Sequence, residues 1–476
     1  MTHRILEDQL DLSALKAQFS TVVKLAVEIG LKNIPAYIIS LMTTVLVSEL
    51  NYRSSALVYV ASRMIVILAC GVPQGANSYL KSCTEERGIA LKVTGILSLL
   101  FSLFMMTSYF WLPPLLVLFN QNAVGIAYLR AYLKWFEASL LFVTLATVVD
   151  QPLIIERDWR MIRIMAFVRL FVELGIMLSL FYLVKKSIDD TSIAYLAHAI
   201  FYSLFTSVYI LKNTKYAHYH SDTLTWQLFC LHAKKLIKVC FPYALRLSLN
   251  LVAQFGVTLI AGAIGADQQQ AYNIMMQCLN CVQFIAVTAL TDALSQASTK
   301  ENHEINLANF LPKQKFCLWL CVITLVTGLY GLLVSAMLVP AIKTFIVGQF
   351  LKTAGVHSEA SVKSYMTDSN FTMVALSQYS MAINMITAGG SLLSENSAGI
   401  PLLINLFGYS LCSVGVPMLF YQFAALSFTQ LLVITALSHV FTAATMSSYN
   451  MYKLFVNSEQ QRNVESDLES QLLLAN

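Results

Sequence analysis

Ionisable and amide side chains recur at helical spacing inside stretches that are otherwise apolar, so any chemistry of this chain must be sought there. Arg246, Asn250 and Gln254 stand at i, i+4 and i+8, which lines one helix face with a cation and two amides. Asn273, Gln277 and Asn280 form a second stripe, and Ser377, Ser380, Asn384 and Thr387 a third. Such faces suit contact with a neutral or mixed-polarity ligand, or interhelical hydrogen bonds worth on average only about 0.6 kcal/mol in a bilayer. Single charges are costlier, at least about 2.5 kcal/mol each at mid-bilayer, and normally face other helices or a wet cavity. Arg169 and Glu173 lie one turn apart and can neutralise each other, as a structural or a functional pair. Glu137 has no evident local partner, which makes it a candidate proton carrier; its closeness to Lys134 offers an interfacial role instead. Glu28, within a turn of Lys24 and Lys32, reads as an interfacial salt bridge, and Asp292 as a cap, a gate or another interfacial acid.

The elements that must position these groups are membrane crossings. Of the 476 residues 57% are hydrophobic and only 12% charged, against roughly a quarter charged in soluble domains. A crossing needs about 20 apolar residues, and such runs fall near 21–48, 54–77, 91–113, 124–149, 161–184, 191–211, 236–263, 268–293, 314–340, 366–389, 399–421 and 427–452. The fold class is therefore all-α, a polytopic membrane protein of about twelve helices. Basic residues gather in alternate joints (Lys81 and Arg87; Arg157, Arg160 and Arg163; Lys212, Lys215, Lys234 and Lys235), which places both termini in the cytoplasm. The longest basic joint divides the chain into a segment 1–20, six crossings over 21–211, a cytoplasmic linker 212–235, six crossings over 236–452 and a tail 453–476. Pro35-Ala-Tyr against Pro242-Tyr-Ala, and the small-polar ends at 75–88 and 292–304, suggest two parallel repeats.

Several classes are disfavoured. The basic residues that give a net charge of +5 sit in loops, where topology explains them, so no nucleic-acid partner is expected. Nine cysteines, mostly inside apolar runs, give no disulfide framework, and Cys278 and Cys281 lack the further ligands a metal site needs. His218 and His220 are likewise short of ligands, and no phosphate-binding Gly-Lys-Ser/Thr loop is present. His198 and His439 sit in apolar helices without acid or nucleophile partners, so an enzyme is not expected. Aromatic residues are 11% of the chain; they serve as interfacial anchors or as the wall of a pocket for organic cations.

The segment KVCFPYALRLSLNLVAQFGVTLIAGAIGADQQQAYNIMMQ (238–277), echoed by KLAVEIG at 24–30, SELNYRSSALVYVA at 48–61 and AYLRAYLKWF at 127–136, resembles the multidrug and toxin extrusion (MATE) transporters of the multidrug/oligosaccharidyl-lipid/polysaccharide flippase superfamily. The resemblance covers nearly the whole chain. It implies two six-helix lobes around a central cavity that opens alternately to either side, with H⁺ or Na⁺ coupling and no other cofactor. In that register Thr43 stands where a coupling aspartate is usual and Asn250 where many members have glutamate. The tenth crossing is neutral near Met381, and GGSLLSEN replaces the usual Leu-Arg-Gly after it. These departures put conventional cation coupling in doubt. The expected function is secondary transport of small organic, including cationic, solutes. The alternatives are a flippase for a lipid or lipid-linked sugar, with Arg246 holding phosphate, and a transport-dead scaffold or effector.

The partners so implied are a small-molecule or lipid substrate and membrane lipids. After Lys453 the chain turns polar and is expected to be disordered. Glu469, Leu473 and Leu474 there have the spacing read by eukaryotic sorting adaptors, and the acidic, Gln-rich tail also resembles export signals of delivered bacterial effectors. The location follows as a plasma or inner membrane or, for a delivered effector, a host organelle membrane.

Overall fold

The computed structural model describes residues 12–475 except 84, 186, 221, 298–311, 352–355 and 392–398; side chains at 78, 81–82, 185, 239, 242–243, 246–247, 295–297, 312–313, 356–358, 389–391 and 455–475 are also not described. Among the described residues the chain is helical throughout, and ten helices are long and apolar enough to cross a membrane.

The first half contains α1 (Leu12–Leu50), α2 (Tyr52–Ser82), α3 (Arg87–Met106) with its continuation α4 (Ser108–Leu118), α5 (Ala123–Ile155), α6 (Trp159–Ser179) and α7 (Ile188–Lys212). The second half contains α8 (Trp226–Ile264), α9 (Ala266–Val282) running through a π segment into α10 (Thr288–Ala297), α11 (Pro312–Met337), α12 (Pro340–Phe350), α13 (Val356–Tyr365), α14 (Asp368–Met385), α15 (Gly399–Asn405) continued by π turns into α16 (Val416–Phe423), and α17 (Phe428–Ala475). Ten of the twelve expected crossings coincide with these spanning segments; the other two, near 236–263 and 366–389, fall on α8 and α14.

Polar residues at the joints start the helices by accepting otherwise orphaned backbone N–H groups. Asn51 accepts from Arg53 at 3.0 Å, Asn122 from Val124 at 2.9 Å and Asp158 from Met161 at 3.2 Å. Ser187 and Asp190 form a reciprocal capping box on α7.

Two large apolar cores follow the two halves. One joins α2, α4 and α5 through residues such as Leu57, Leu116, Leu129 and Phe136. The other joins α9, α11 and α14 through Ile274, Val322 and Val374. Helix α1 straddles them: Val22, Ala26 and Ile29 pack into the second core, whereas Val47 joins the first. The lobes meet along α2 against α8 and α1 against α10. Gly71 permits the first approach, since a Cβ there would lie 2.8 Å from the Ala244 methyl.

Two expectations change. The 341–365 stretch, left between two crossings, forms α12 and α13. The basic linker makes a 3₁₀ turn, Thr214–Tyr219, whose tyrosines bond the first lobe. The tail, read as disordered, continues the backbone of α17 to Ala475; its Glu, Gln and Leu content favours helix once a preceding turn supplies the nucleus. The side chains of Glu469, Leu473 and Leu474 lie outside the described residues.

Candidate functional site

Helices α1 and α2 each turn one periodic face toward a cavity of about 160 Å³ inside the first lobe. From α1 come Ala36, Ser40, Thr43, Thr44 and Val47; from α2 come Ser55, Tyr59, Ser62, Arg63 and Val66. Steps of three and four keep small and hydroxylated residues on these faces. Tyr132 and Phe136 of α5, Arg169 of α6, Tyr195 of α7 and Phe284 of the π segment complete the wall. Among the described residues the lining carries two guanidinium groups and no carboxylate.

Arg63 donates from Nη1 to the Tyr59 hydroxyl at 3.0 Å, and its guanidinium carbon lies 3.9 Å from the centre of the Phe284 ring. Arg169 is paired: its Nε stands 3.5 Å from Oε2 of Glu173. The same oxygen lies 3.0 Å from Nδ1 of His198, with both side chains 2% exposed. The Glu173 contacts are ionic rather than directional, since neither the Arg169 Nε nor the His198 Nδ1 is aligned for a hydrogen bond. Tyr202, whose ring centre is 6.3 Å from that of His198, donates to both Asp150 oxygens at 3.0 Å. A buried polar chain thus runs from Arg169 to Asp150 behind the cavity.

Along the lobe boundary beside the cavity, α9 presents Gln270, Asn273, Gln277 and Asn280, each no more than 1% exposed. Gln277 donates to Thr44 at 3.4 Å, Asn280 to the Tyr59 hydroxyl at 3.2 Å, and Gln270 accepts from Ser55 at 3.1 Å. Both polar atoms of the Asn273 amide, Nε2 of Gln270, Oε1 of Gln277 and Oδ1 of Asn280 have no hydrogen-bond partner among the described residues. At the Asp267 end the boundary is clasped. Asp267 meets Arg53 at 3.7 Å and accepts from Tyr52 at 3.3 Å and Ser361 at 2.7 Å, while Gln269 donates to Gln121 at 2.9 Å.

The second lobe holds a separate polar cluster. His439, 1% exposed, bridges the hydroxyls of Ser377 at 2.6 Å and Ser413 at 2.8 Å. Asn384 donates to Asn405 at 2.8 Å and to the Tyr409 hydroxyl at 2.5 Å. Asn250 is buried in that lobe, and Gln254 points at the Met381 sulfur, 3.7 Å away.

The expected residues therefore separate. Thr43 and Arg169 line the cavity, with Glu173 just behind; Asn273, Gln277 and Asn280 form the boundary; Asn250, Gln254 and Asn384 belong to the second lobe. The Arg246 side chain lies outside the described residues. Glu137 is not without a partner, for the Ser108 hydroxyl donates to it away from the cavity, because the break between α3 and α4 brings that serine back onto α5. Glu28 pairs with Arg163 of α6 rather than with Lys24 or Lys32, because α6 packs on that face of α1. Sequence reasoning passed over Arg63, Tyr59, Asp150 and Phe284. The Tyr59 and Arg63 spacing, one turn apart in an apolar run, was the available signal.

No protein-family model and no curated protein matches the sequence. Solved structures do match the fold. An inward-facing multidrug resistance MATE family transporter of the MOP superfamily superposes with a TM-score of 0.70 at 14% identity, covering 92% of this chain and 98% of that one. A MOP superfamily transporter from Pyrococcus furiosus, described as having a binding pocket of reverse polarity that suggests a different function, gives 0.72 at 15% identity over 94% and 99%. An outward-facing MATE structure gives 0.66 at 14% identity over 94% and 99%. The chain has the fold of the MATE transporters.

Proposed function

We propose that this protein is a secondary transporter of small organic solutes, in which the two lobes rock about the α1/α10 and α2/α8 contacts and expose the first-lobe cavity to one side of the membrane and then the other. The observation that carries this reading is the row of buried amide atoms without partners on α9. Each unsatisfied buried polar atom costs about 1–3 kcal/mol. A seam carrying several of them is poorly suited to staying shut, and separation of the lobes would hydrate them. Closed and open arrangements are thereby brought close in free energy, as a two-state carrier requires. The fold shared with MATE transporters supports the same reading, and the basic joints support cytoplasmic termini.

A lipid-linked sugar is a poor fit to a cavity of about 160 Å³. A scaffold without transport gives no reason for a cavity lined by two guanidinium groups beside an unsatisfied seam. Coupling to H⁺ is best sought at the Glu173 and His198 pair, the buried acid nearest the cavity.

The test is double electron–electron resonance in lipid, with spin labels at Val124 and Phe423, exposed positions at the Asp267 end of the two lobes. Two distance populations whose ratio shifts with solute or pH are expected, together with solute flux in proteoliposomes. One fixed distance under all conditions would refute the rocking mechanism.

A further inference from the structure

We infer that the first-lobe cavity takes a compact organic anion, a ring or short chain bearing one carboxylate or similar acidic group, held by Arg63 and Tyr59. The inference rests on the cavity being the solute site of the transporter and deepens that reading by assigning the charge of the solute.

The charge balance comes first. Of the two lining guanidinium groups, Arg169 is matched by Glu173 behind it at 3.5 Å. Arg63 has no acidic partner among the described residues, so the cavity retains one net positive charge. A cation left in that position in a membrane protein is costly unless water or a counter-ion meets it. An organic cation of the same size would add repulsion there.

The donors come second. A guanidinium carries five N–H bonds in one plane. Phe284 covers the face of that plane and Tyr59 takes one bond at 3.0 Å. Nε is buried without a partner. The Tyr59 oxygen already accepts from both Arg63 and Asn280, so its own proton remains to be given, and no acceptor receives it among the described residues. A planar cation fixed by an aromatic face, beside a hydroxyl with a proton to donate, matches a carboxylate, which accepts in one plane from two donors.

Size comes third. A cavity of about 160 Å³ is close to the roughly 150 Å³ engineered apolar cavity that admits benzene. The rest of the wall, Val58, Val66, Phe136 and Tyr132 among it, is apolar or aromatic enough to receive a ring.

The experiment measures equilibrium binding of benzoate, benzamide and benzamidine, one ring with three charges, to the purified full chain in nanodiscs. Benzoate is expected to bind at least about tenfold more tightly than either of the others. Arg63→Gln should erase that preference, Arg63→Lys should retain a reduced one, and Tyr59→Phe should weaken benzoate alone. Equal binding of benzoate and benzamidine would overturn the inference, and so would an unchanged preference in Arg63→Gln. If Arg63 merely ties the lobes together through Phe284, its loss would lower the melting temperature but leave the benzoate preference intact. Should Arg63→Gln not fold, the wild-type charge series and Arg63→Lys still decide. Benzoate bound but not moved across proteoliposomes would reject transport and leave the anion site standing.

Discussion

Glu173 is 1% exposed and meets two nitrogens, that of Arg169 at 3.5 Å and that of His198 at 3.0 Å. Attraction in so dry a place must first offset the desolvation of both charges, so the pair is weak as a source of net stability but expensive to break from one side. Glu173→Gln is expected to destabilise the protein by about 3 kcal/mol, because Arg169 is left facing a neutral amide. Arg169→Gln combined with Glu173→Gln should recover most of that loss. Thermal denaturation of the two single variants and the double variant checks it; additive losses would mean the two side chains do not act as a pair. Gly408 offers a second case. A Cβ there would lie 2.8 Å from the Cβ of Thr442 on α17 and nearer still to its hydroxyl, so Gly408→Ala should cost about 1–3 kcal/mol by overpacking. A melting temperature equal to wild type would show that Thr442 rotates away freely.

Among the elements, the docked linker behaves least as its sequence suggests. Arg157 takes φ 54 in the turn after α5, a left-handed conformation that tightens the chain and presents Glu156 and Asp158 on either side. Tyr216 donates to Asp158 at 2.9 Å, Tyr209 to the same carboxylate at 3.2 Å, and Tyr219 to Glu156 at 3.1 Å, which Arg87 also meets at 3.5 Å. Burial, and then the hydrogen bond to Asp158 with its charge, push the Tyr216 phenol above its ordinary value of 10. A raised folded-state value means that this contribution is fully present below pH 10 and is lost only as pH rises through the higher value. The clasp should therefore hold across physiological pH. Tyr216→Phe should loosen it by about 1.5–3 kcal/mol, the usual worth of a hydrogen bond to a charge, seen as faster proteolysis between residues 212 and 225. Gly88→Ala should do the same by another route, since its Cβ would fall 2.7 Å from the His218 carbonyl oxygen and 2.9 Å from that of Tyr219. Unchanged cleavage in both variants would show that the linker is held elsewhere. None of this was legible beforehand, because 212–235 reads as charged and aromatic without period, and its partners lie more than fifty residues away. The crossings were legible, since about 20 apolar residues between polar caps have few other fates. The π segments at Gln283–Val287 and Leu406–Gly415 were not, and the first of them carries Phe284 to Arg63. The site was half legible: the amide stripe on α9 shows in its spacing, whereas the pairing of Arg63 with Tyr59 one turn earlier gains its meaning from Phe284 and Asn280 on other rods.

For the whole molecule, the question is which contacts resist separation of the lobes and which favour it. The clasp around Asp267, with Arg53, Tyr52 and Ser361, resists it at one end, and the close contact of Gly71 with Ala244 resists it toward the other. The α9 amides oppose them, since each atom left without a partner in the closed form gains one when water enters. Substituting an apolar side chain of similar volume removes that opposition without disturbing the clasp. Asn273→Leu should therefore raise the melting temperature, because two unsatisfied atoms are removed together with their desolvation cost. It should also collapse the Val124 to Phe423 distance distribution toward its closed population and slow solute flux at least about tenfold, a shift of roughly 1.4 kcal/mol. Asp267→Asn is the opposite perturbation: by weakening the clasp it should move the same distribution toward the open population while lowering the melting temperature. Both variants leave the cavity wall intact, so the preference for benzoate over benzamidine should persist in each even where the shifted equilibrium changes the absolute affinity. If Asn273→Leu proved less stable than wild type, the amide would be satisfied by ordered water in the closed form, and the seam would be a fixed interface rather than one arm of a balance.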